Sequence, residues 1–284
     1  MLIWIQRGWL LCIGAFLCVF IWREHMAFGE QLAASDLMLV LTVIASILIA
    51  KLVCMDLAYT SLLLLGQNCR YVDAAFWYST ADIGKYLPGG IWPIVGRLAM
   101  YRAHFSNAIS ARAFIVETTI LIGIPLTIGT AMAFGSYGPL SAIAVVCSSG
   151  LILAYCIFKA PRIESQSYGM TRNQRLVLVT RCIAGQLVCW LILFPGGLYL
   201  LLEGLEFFSI VAAFDLAFSL GQLAIFAPSG VGVREWVFDY LLRDHSGGFL
   251  IAILIFHRAL WFLADIIFYL TVLRIRKPSV TSRQ

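Results

Sequence analysis

Charge is what this chain has least of. Asp, Glu, Lys and Arg make up 12% of its 284 residues, against 61% hydrophobic. A soluble domain of this length carries about twice that charged fraction. With a mean hydropathy of +0.91, the composition reads as an integral membrane protein. No stretch is polar enough and long enough to form a separate soluble domain, so any chemistry sits within the membrane or in short loops. Histidine is scarce, and His25, His104, His245 and His257 have neither paired spacing nor a carboxylate companion, which excludes a zinc centre. None of the cysteines forms a CxxC pair, and nearly all fall in apolar spans. They read as small hydrophobes rather than metal ligands or disulfides. No metal, cofactor or nucleic-acid partner is expected. Met1 to Trp22 has the outline of a signal peptide but no small-residue cleavage site before Arg23-Glu24, and reads as an uncleaved first span.

Long apolar runs make up most of what is present. Spans are expected at Gly8 to Trp22, Leu37 to Leu65, Ala108 to Phe134, Leu140 to Phe158, Leu176 to Leu202 and Phe249 to Leu273. Two regions between them are broken. The first, within Val72 to Tyr101, holds Asp82-Ile83-Gly84-Lys85-Tyr86-Leu87-Pro88-Gly89-Gly90-Ile91-Trp92 and continues to Gly96-Arg97. The second, within Phe207 to Leu242, holds Pro228-Ser229-Gly230-Val231-Gly232-Val233-Arg234-Glu235. Hydrocarbon tolerates broken backbone only where protein or a water-filled cavity surrounds it, and a basic residue at such a break is a candidate functional residue.

The spans starting at Leu37 and Leu176 are offset by 139, the breaks at Pro88 and Pro228 by 140, and the spans near Ala108 and Phe249 by 141. That order reads as an internal repeat, with halves 1–136 and 137–284. If each broken region is a re-entrant hairpin, each half crosses three times and the halves are inverted. Arg97, Arg102, Arg112, Lys159, Arg162 and Arg175 then share the cytoplasmic face with both termini, leaving only Arg23, Arg234 and Arg243 outside, as the positive-inside rule requires. Two short complete crossings per broken region give the same parity. The expected fold is therefore an all-α polytopic membrane protein with two inverted-topology halves, about six spanning helices and two re-entrant helical hairpins.

A helix starting after Pro88-Gly89-Gly90, at Ile91 or Trp92, would offer free N–H groups and the positive end of its dipole to an anion. Lys85 before the turn, and Arg97 about two turns beyond it, would add a point charge and a bidentate fork. Arg234, after Pro228, is placed to act similarly from the second half. The plainer reading is that Pro and Gly merely kink two helices whose cations pair with nearby carboxylates. Glu117 and Arg258 occupy nearly equivalent places inside apolar spans. A mutual ion pair holding the halves together is the favoured reading, with a pairing to a site residue or a gating or proton-coupling role as alternatives. His257 reads as a packing or hydrogen-bonding residue. Lys51 and Asp56 are candidates to pair with each other or to snorkel. Tyr71, Phe76, Trp77, Tyr78 and Tyr86 read as interface anchors. No catalytic constellation emerges: Ser229 has no adjacent base, and the residues of a phosphatase or glycosyltransferase centre are incomplete.

Lys85-Tyr86-Leu87-Pro88-Gly89, followed by Trp92, Gly96 and Arg97, resembles the signature of the lysylphosphatidylglycerol synthase transmembrane region family, also called flippase-like. Pro228 to Glu235, with Gly230, Gly232 and Arg234, resembles its second hallmark, and Glu117 and Arg258 stand where such proteins tend to carry an acid and an arginine. The resemblance covers essentially the whole chain. It implies a bacterial-type inner-membrane protein that moves, or helps to move, a lipid with a polar head group, a lipid-linked sugar among the candidates, in company with an enzyme of lipid or glycan synthesis. With cations at both breaks, that head group is expected to bear phosphate. Two-domain members add a soluble domain that aminoacylates phosphatidylglycerol. This sequence shows no such domain, so aminoacylation is not expected. Ser229 departs from the glycine usual at that place, which bears on the tightness of the second turn. The alternatives are a lipid- or glycan-modifying membrane enzyme and an accessory subunit of surface-polysaccharide assembly.

Overall fold

The computed structural model describes residues 36–86, 92–134, 171–202, 204–224, 230, 232–242 and 249–276. Among these, the chain is helical throughout, without a strand. α1 (Leu37–Leu64) is followed by a broken pair, α2 (Tyr71–Ile83) with a 3-10 turn (Gly84–Tyr86) and α3 (Trp92–Arg102), and then by α4 (Asn107–Phe134). The order recurs with α5 (Arg172–Val188), a π turn (Cys189–Leu193), α6 (Phe194–Tyr199), α7 (Phe207–Leu223), α8 (Val233–Leu242) and α9 (Phe249–Ile275). The spans expected at Gly8 to Trp22 and Leu140 to Phe158 lie outside the described residues.

Local chemistry sets these boundaries. Asp36 caps α1, its carboxylate accepting from the Met38 N–H at 3.2 Å, and Gly66, at φ 75°, ends it. Thr171 and Gln174 form a capping box at the start of α5. Pro195 has no N–H to continue that helix. The chain passes the proline through a π turn in which the Phe194 N–H donates to the Cys189 carbonyl.

Four helical stretches are long and apolar enough to cross a membrane: Leu37–Leu64, Asn107–Phe134, Asn173–Tyr199 and Leu250–Ile275. At about 1.5 Å per residue they span roughly 40 Å, more than a hydrocarbon core of about 30 Å. By the same measure α2, with 13 residues, reaches about 20 Å. α3 and α8 are shorter still, so no arm of a broken pair other than α7 approaches the span of a bilayer.

Packing links the two sets of helices crosswise. Within each set the broken arms pack on each other, α2 on α3 and α7 on α8. The last long helix of each set packs on the first broken arm of the other, α4 on α7 and α9 on α2. α2 is fastened to α9 near both of its ends. Arg276 donates to Asp73 at 3.2 Å and lies over the Phe76 ring, while Asp265 accepts from Lys85 and Tyr86 at the other end. An aromatic core sits where α1, α6, α7 and α9 meet, with Phe194 stacked on Trp261 at 4.4 Å and Trp190 against Phe218 at 4.4 Å.

Trp77 and Tyr78 depart from their expected role. Both are buried: α2 turns Ala74, Ala75, Tyr78 and Ala81 inward at helical spacing, and Trp77 packs on Tyr101, His104 and Phe105. Tyr71, at the start of the helix, stays exposed.

Candidate functional site

α1, α2, the 3-10 turn, α7, α8 and α9 surround a cavity of about 50 Å³, room for ordered water or a small polar group. Its charged wall is built from both sets of helices. Lys51 of α1 donates to Asp82 of α2 at 2.8 Å and also pairs with Asp265 of α9. Lys85 reaches Asp265 at 2.7 Å and Asp82 at 3.1 Å. The Tyr86 hydroxyl donates to Asp265 as well. Two lysines thus share two carboxylates. Lys51 and Asp265 are 2% and 3% exposed and Lys85 is 12% exposed, so Lys85 is the more accessible lysine. Trp261 lies beneath both ammonium groups, at 5.7 Å from Lys51 and 5.6 Å from Lys85, a cation–π arrangement that stabilises each charge.

The opposite wall carries two arginines in different circumstances. Arg258 of α9 is paired with Glu235 of α8. Glu235 also accepts the Gly232 N–H at 2.7 Å and so closes the turn before α8. Arg234 lies over the Phe218 ring at 4.6 Å. It has no carboxylate or hydrogen-bond partner among the described residues, and its Nε is buried without one. A half-buried guanidinium without a partner among the described residues calls for an explanation.

Glycines bring Arg234 to this place. Gly221, at the end of α7, lies so close that a Cβ there would stand 2.4 Å from Cγ of Arg234. Gly230 has φ +70°, and a Cβ on it would meet the Gly221 Cα at 2.7 Å. The neck of the second break is therefore two backbones in contact. Gly230→Ala is expected to cost about 1–3 kcal/mol from the backbone conformation alone, with the steric clash added, read as a lowered unfolding temperature of the purified protein. The first break closes similarly: a Cβ on Gly84 would meet the Trp92 carbonyl carbon at 3.3 Å, and α3 starts at Trp92.

Of the residues singled out in the sequence, Lys85, Arg234 and Arg258 line the cavity. Pro88, Gly89, Gly90, Pro228 and Ser229 lie outside the described residues. Arg97 does not line the cavity, and its guanidinium is committed elsewhere. It is buried, paired with Glu117, stacked at 4.3 Å over Tyr78 and donating to the Tyr78 carbonyl at 3.4 Å. Tyr101 completes that group by donating to Glu117 at 2.9 Å. The mutual Glu117–Arg258 pair is therefore corrected: each reaches a residue of the adjoining broken arm, Glu117 to Arg97 and Arg258 to Glu235. Glu235 and Gly232 serve the turn and that pair. Trp92 opens α3 without lining the cavity.

Lys51 and Asp56 do not pair either. Five positions of helix turn them to different faces, and Asp56 instead accepts from Arg181 of α5 at 2.9 Å. His257 packs against Phe214 and Trp261, and neither ring nitrogen has a hydrogen-bond partner among the described residues.

Four further residues belong to the site: Asp82 and Asp265, to which the sequence reading gave no role, Lys51, expected to pair with Asp56 or to snorkel, and Tyr86, expected as an interface anchor but bound to Asp265 at the cavity. The signal for Lys51 and Asp265 was available, since an ionisable residue inside an apolar span marks a functional site by default. What one-dimensional reading could not supply was their meeting point.

No protein-family model matches the chain, and no curated protein matches it. The class is set by the architecture: the described residues are all-helical, and four of their helices are long and apolar enough to cross a membrane, consistent with an integral membrane protein.

Proposed function

We propose that this chain is a flippase-like transporter that moves a lipid with an anionic, phosphate-bearing head group across a bacterial-type inner membrane, both termini being cytoplasmic. The observation that carries the proposal is the cavity between the two broken regions, where Lys85 is the more accessible lysine and Arg234 has no carboxylate partner among the described residues. A phosphate oxygen there meets a guanidinium fork from one side and an ammonium from the other. The aromatic floor of Trp190, Phe194, Phe218 and Trp261 keeps the dielectric low and strengthens that attraction.

The proposal takes the two sets of helices as inverted halves, with α2–α3 and α7–α8 as re-entrant hairpins. The crosswise packing of α4 on α7 and α9 on α2 supports this, as does the shortness of the broken arms. The matching ion pairs, Arg97–Glu117 and Glu235–Arg258, support it further. Each joins a second hairpin arm to the following long helix, with the charges reversed. Lys51, Asp82 and Asp265 position Lys85, while Arg97 and Glu117 fix the first hairpin.

The test is reconstitution in liposomes containing head-group-labelled lipids, with transbilayer movement read by quenching of the outer leaflet. Faster movement of anionic phospholipids or polyprenyl phosphates than in protein-free liposomes is expected. No acceleration for any phosphate-bearing lipid would remove the proposal.

A further inference from the structure

Asp215 takes no part in the cavity. It lies midway along α7 with no exposed surface, and neither carboxyl oxygen has a hydrogen-bond partner or a cation among the described residues. The other buried acids are provided for: Asp265 by Lys51, Lys85 and Tyr86, and Glu117 by Arg97 and Tyr101.

The groups brought by neighbouring elements are engaged elsewhere. On α4, Glu117 is bound to Arg97, and Arg112 stands near the start of the helix, well away from the α7 crossing. On α8, Arg234 lies over Phe218, Glu235 holds Arg258, and Tyr240 stacks on exposed Trp236; Asp239 is another acid rather than a counter-cation. α6 brings Tyr199, packed on Phe207, and the π turn brings Cys189, whose thiol donates to the Ala50 carbonyl. α9 approaches through His257, edge-on to Phe214.

Packing beside Asp215 is close. A Cβ on Gly129 of α4 would stand 2.8 Å from the Leu216 Cγ and 3.2 Å from the Ala212 carbonyl oxygen, so the two backbones approach as small residues allow. One turn further on, Ser219 donates to the Ile122 carbonyl at 3.4 Å. An ionised carboxylate in such a place, without a counter-charge, costs several kcal/mol, and a neutral acid far less.

We infer that Asp215 is a proton-binding site, its proton held while α7 is packed on α4 and released to water when that contact opens. Release breaks the carboxyl O–H bond and hands the proton to water, and closing the contact requires its return. This goes beyond the transport proposed above, to which it adds a source of energy, and it stands on separate observations.

Two measurements on the full chain in lipid nanodiscs test it. The first compares unfolding temperatures of the parent and Asp215→Asn across pH. The unfolded chain ionises this acid above its ordinary range while the folded protein keeps the proton, so the parent loses stability with rising pH and the variant does not. The gap should widen in favour of the variant between about pH 5 and pH 8, and a flat gap overturns the inference. The second needs no variant. A hydrophobic carbodiimide adds to un-ionised carboxyl groups, and mass spectrometry should place an adduct on Asp215. Labelling that leaves Asp215 unmodified overturns it. Neither readout involves lipid movement, so either proposal can fail without the other. Where translocation is measured, a pH gradient should change the rate in the parent and not in Asp215→Asn; equal responses exclude the coupling.

Discussion

Arg234→Gln should reduce lipid translocation by about tenfold or more while leaving the protein at least as stable as the parent. The two effects have one origin. Arg234 stands half-buried with no carboxylate or hydrogen-bond partner among the described residues, so the fold bears its desolvation without a compensating pair. Glutamine keeps the polar tip and much of the length but removes the charge, which relieves that cost. A head-group phosphate loses a charge-assisted hydrogen bond worth about 1.5–3 kcal/mol, and every 1.4 kcal/mol is roughly a factor of ten. Transport and unfolding temperature measured on the same preparation check both halves of the prediction. Lost transport with lost stability would make Arg234 structural instead.

Glu117→Gln should be among the most damaging single changes in the protein. Arg97 and Glu117 are 7% and 5% exposed in their side chains, and the substitution leaves a buried guanidinium without its counter-charge. Breaking a buried pair from one side costs roughly 3–5 kcal/mol, against a total stability of about 5–15 kcal/mol for a typical domain. The variant should accumulate poorly in membranes and unfold at a markedly lower temperature. Replacing both partners, as Arg97→Met with Glu117→Met, should recover most of the loss, because two apolar side chains leave no orphaned charge. The equivalent Glu235–Arg258 pair is 15% exposed on each side, and Glu235→Gln should cost less. Unfolding temperatures of the three variants, set against the parent, give the ranking.

Much of the architecture was legible along the chain because hydropathy is a local property. The span expected at Leu37 to Leu65 is α1 to within a residue, and the one at Phe249 to Leu273 is extended by two residues as α9. The described helices stop and restart on either side of both expected breaks, and the second helix of the first break starts at Trp92. The partners of buried charges were not legible. Periodicity states which face of α1 carries Lys51, but not that Asp82 and Asp265 arrive on that face from distant parts of the sequence. Arg97 and Arg234 show the limit most plainly. As sequence they are equivalent arginines after a proline-led break, yet one is neutralised by Glu117 and the other has no counter-charge among the described residues.

The crosswise packing of the long helices also bears on how the chain is made. α4 leaves the ribosome well before α7, the arm it packs against, and α2 well before α9. Until the second set of helices arrives, Asp82 and Lys85 have each other and Lys51 but lack Asp265, and Gly129 lacks Leu216. The first set of helices therefore waits with these contacts unmade, and folding closes in one late, long-range step. A chain woven this way cannot be divided at the segment between α4 and α5 into two self-sufficient pieces, because each piece would hold a long helix whose packing surface belongs to the other.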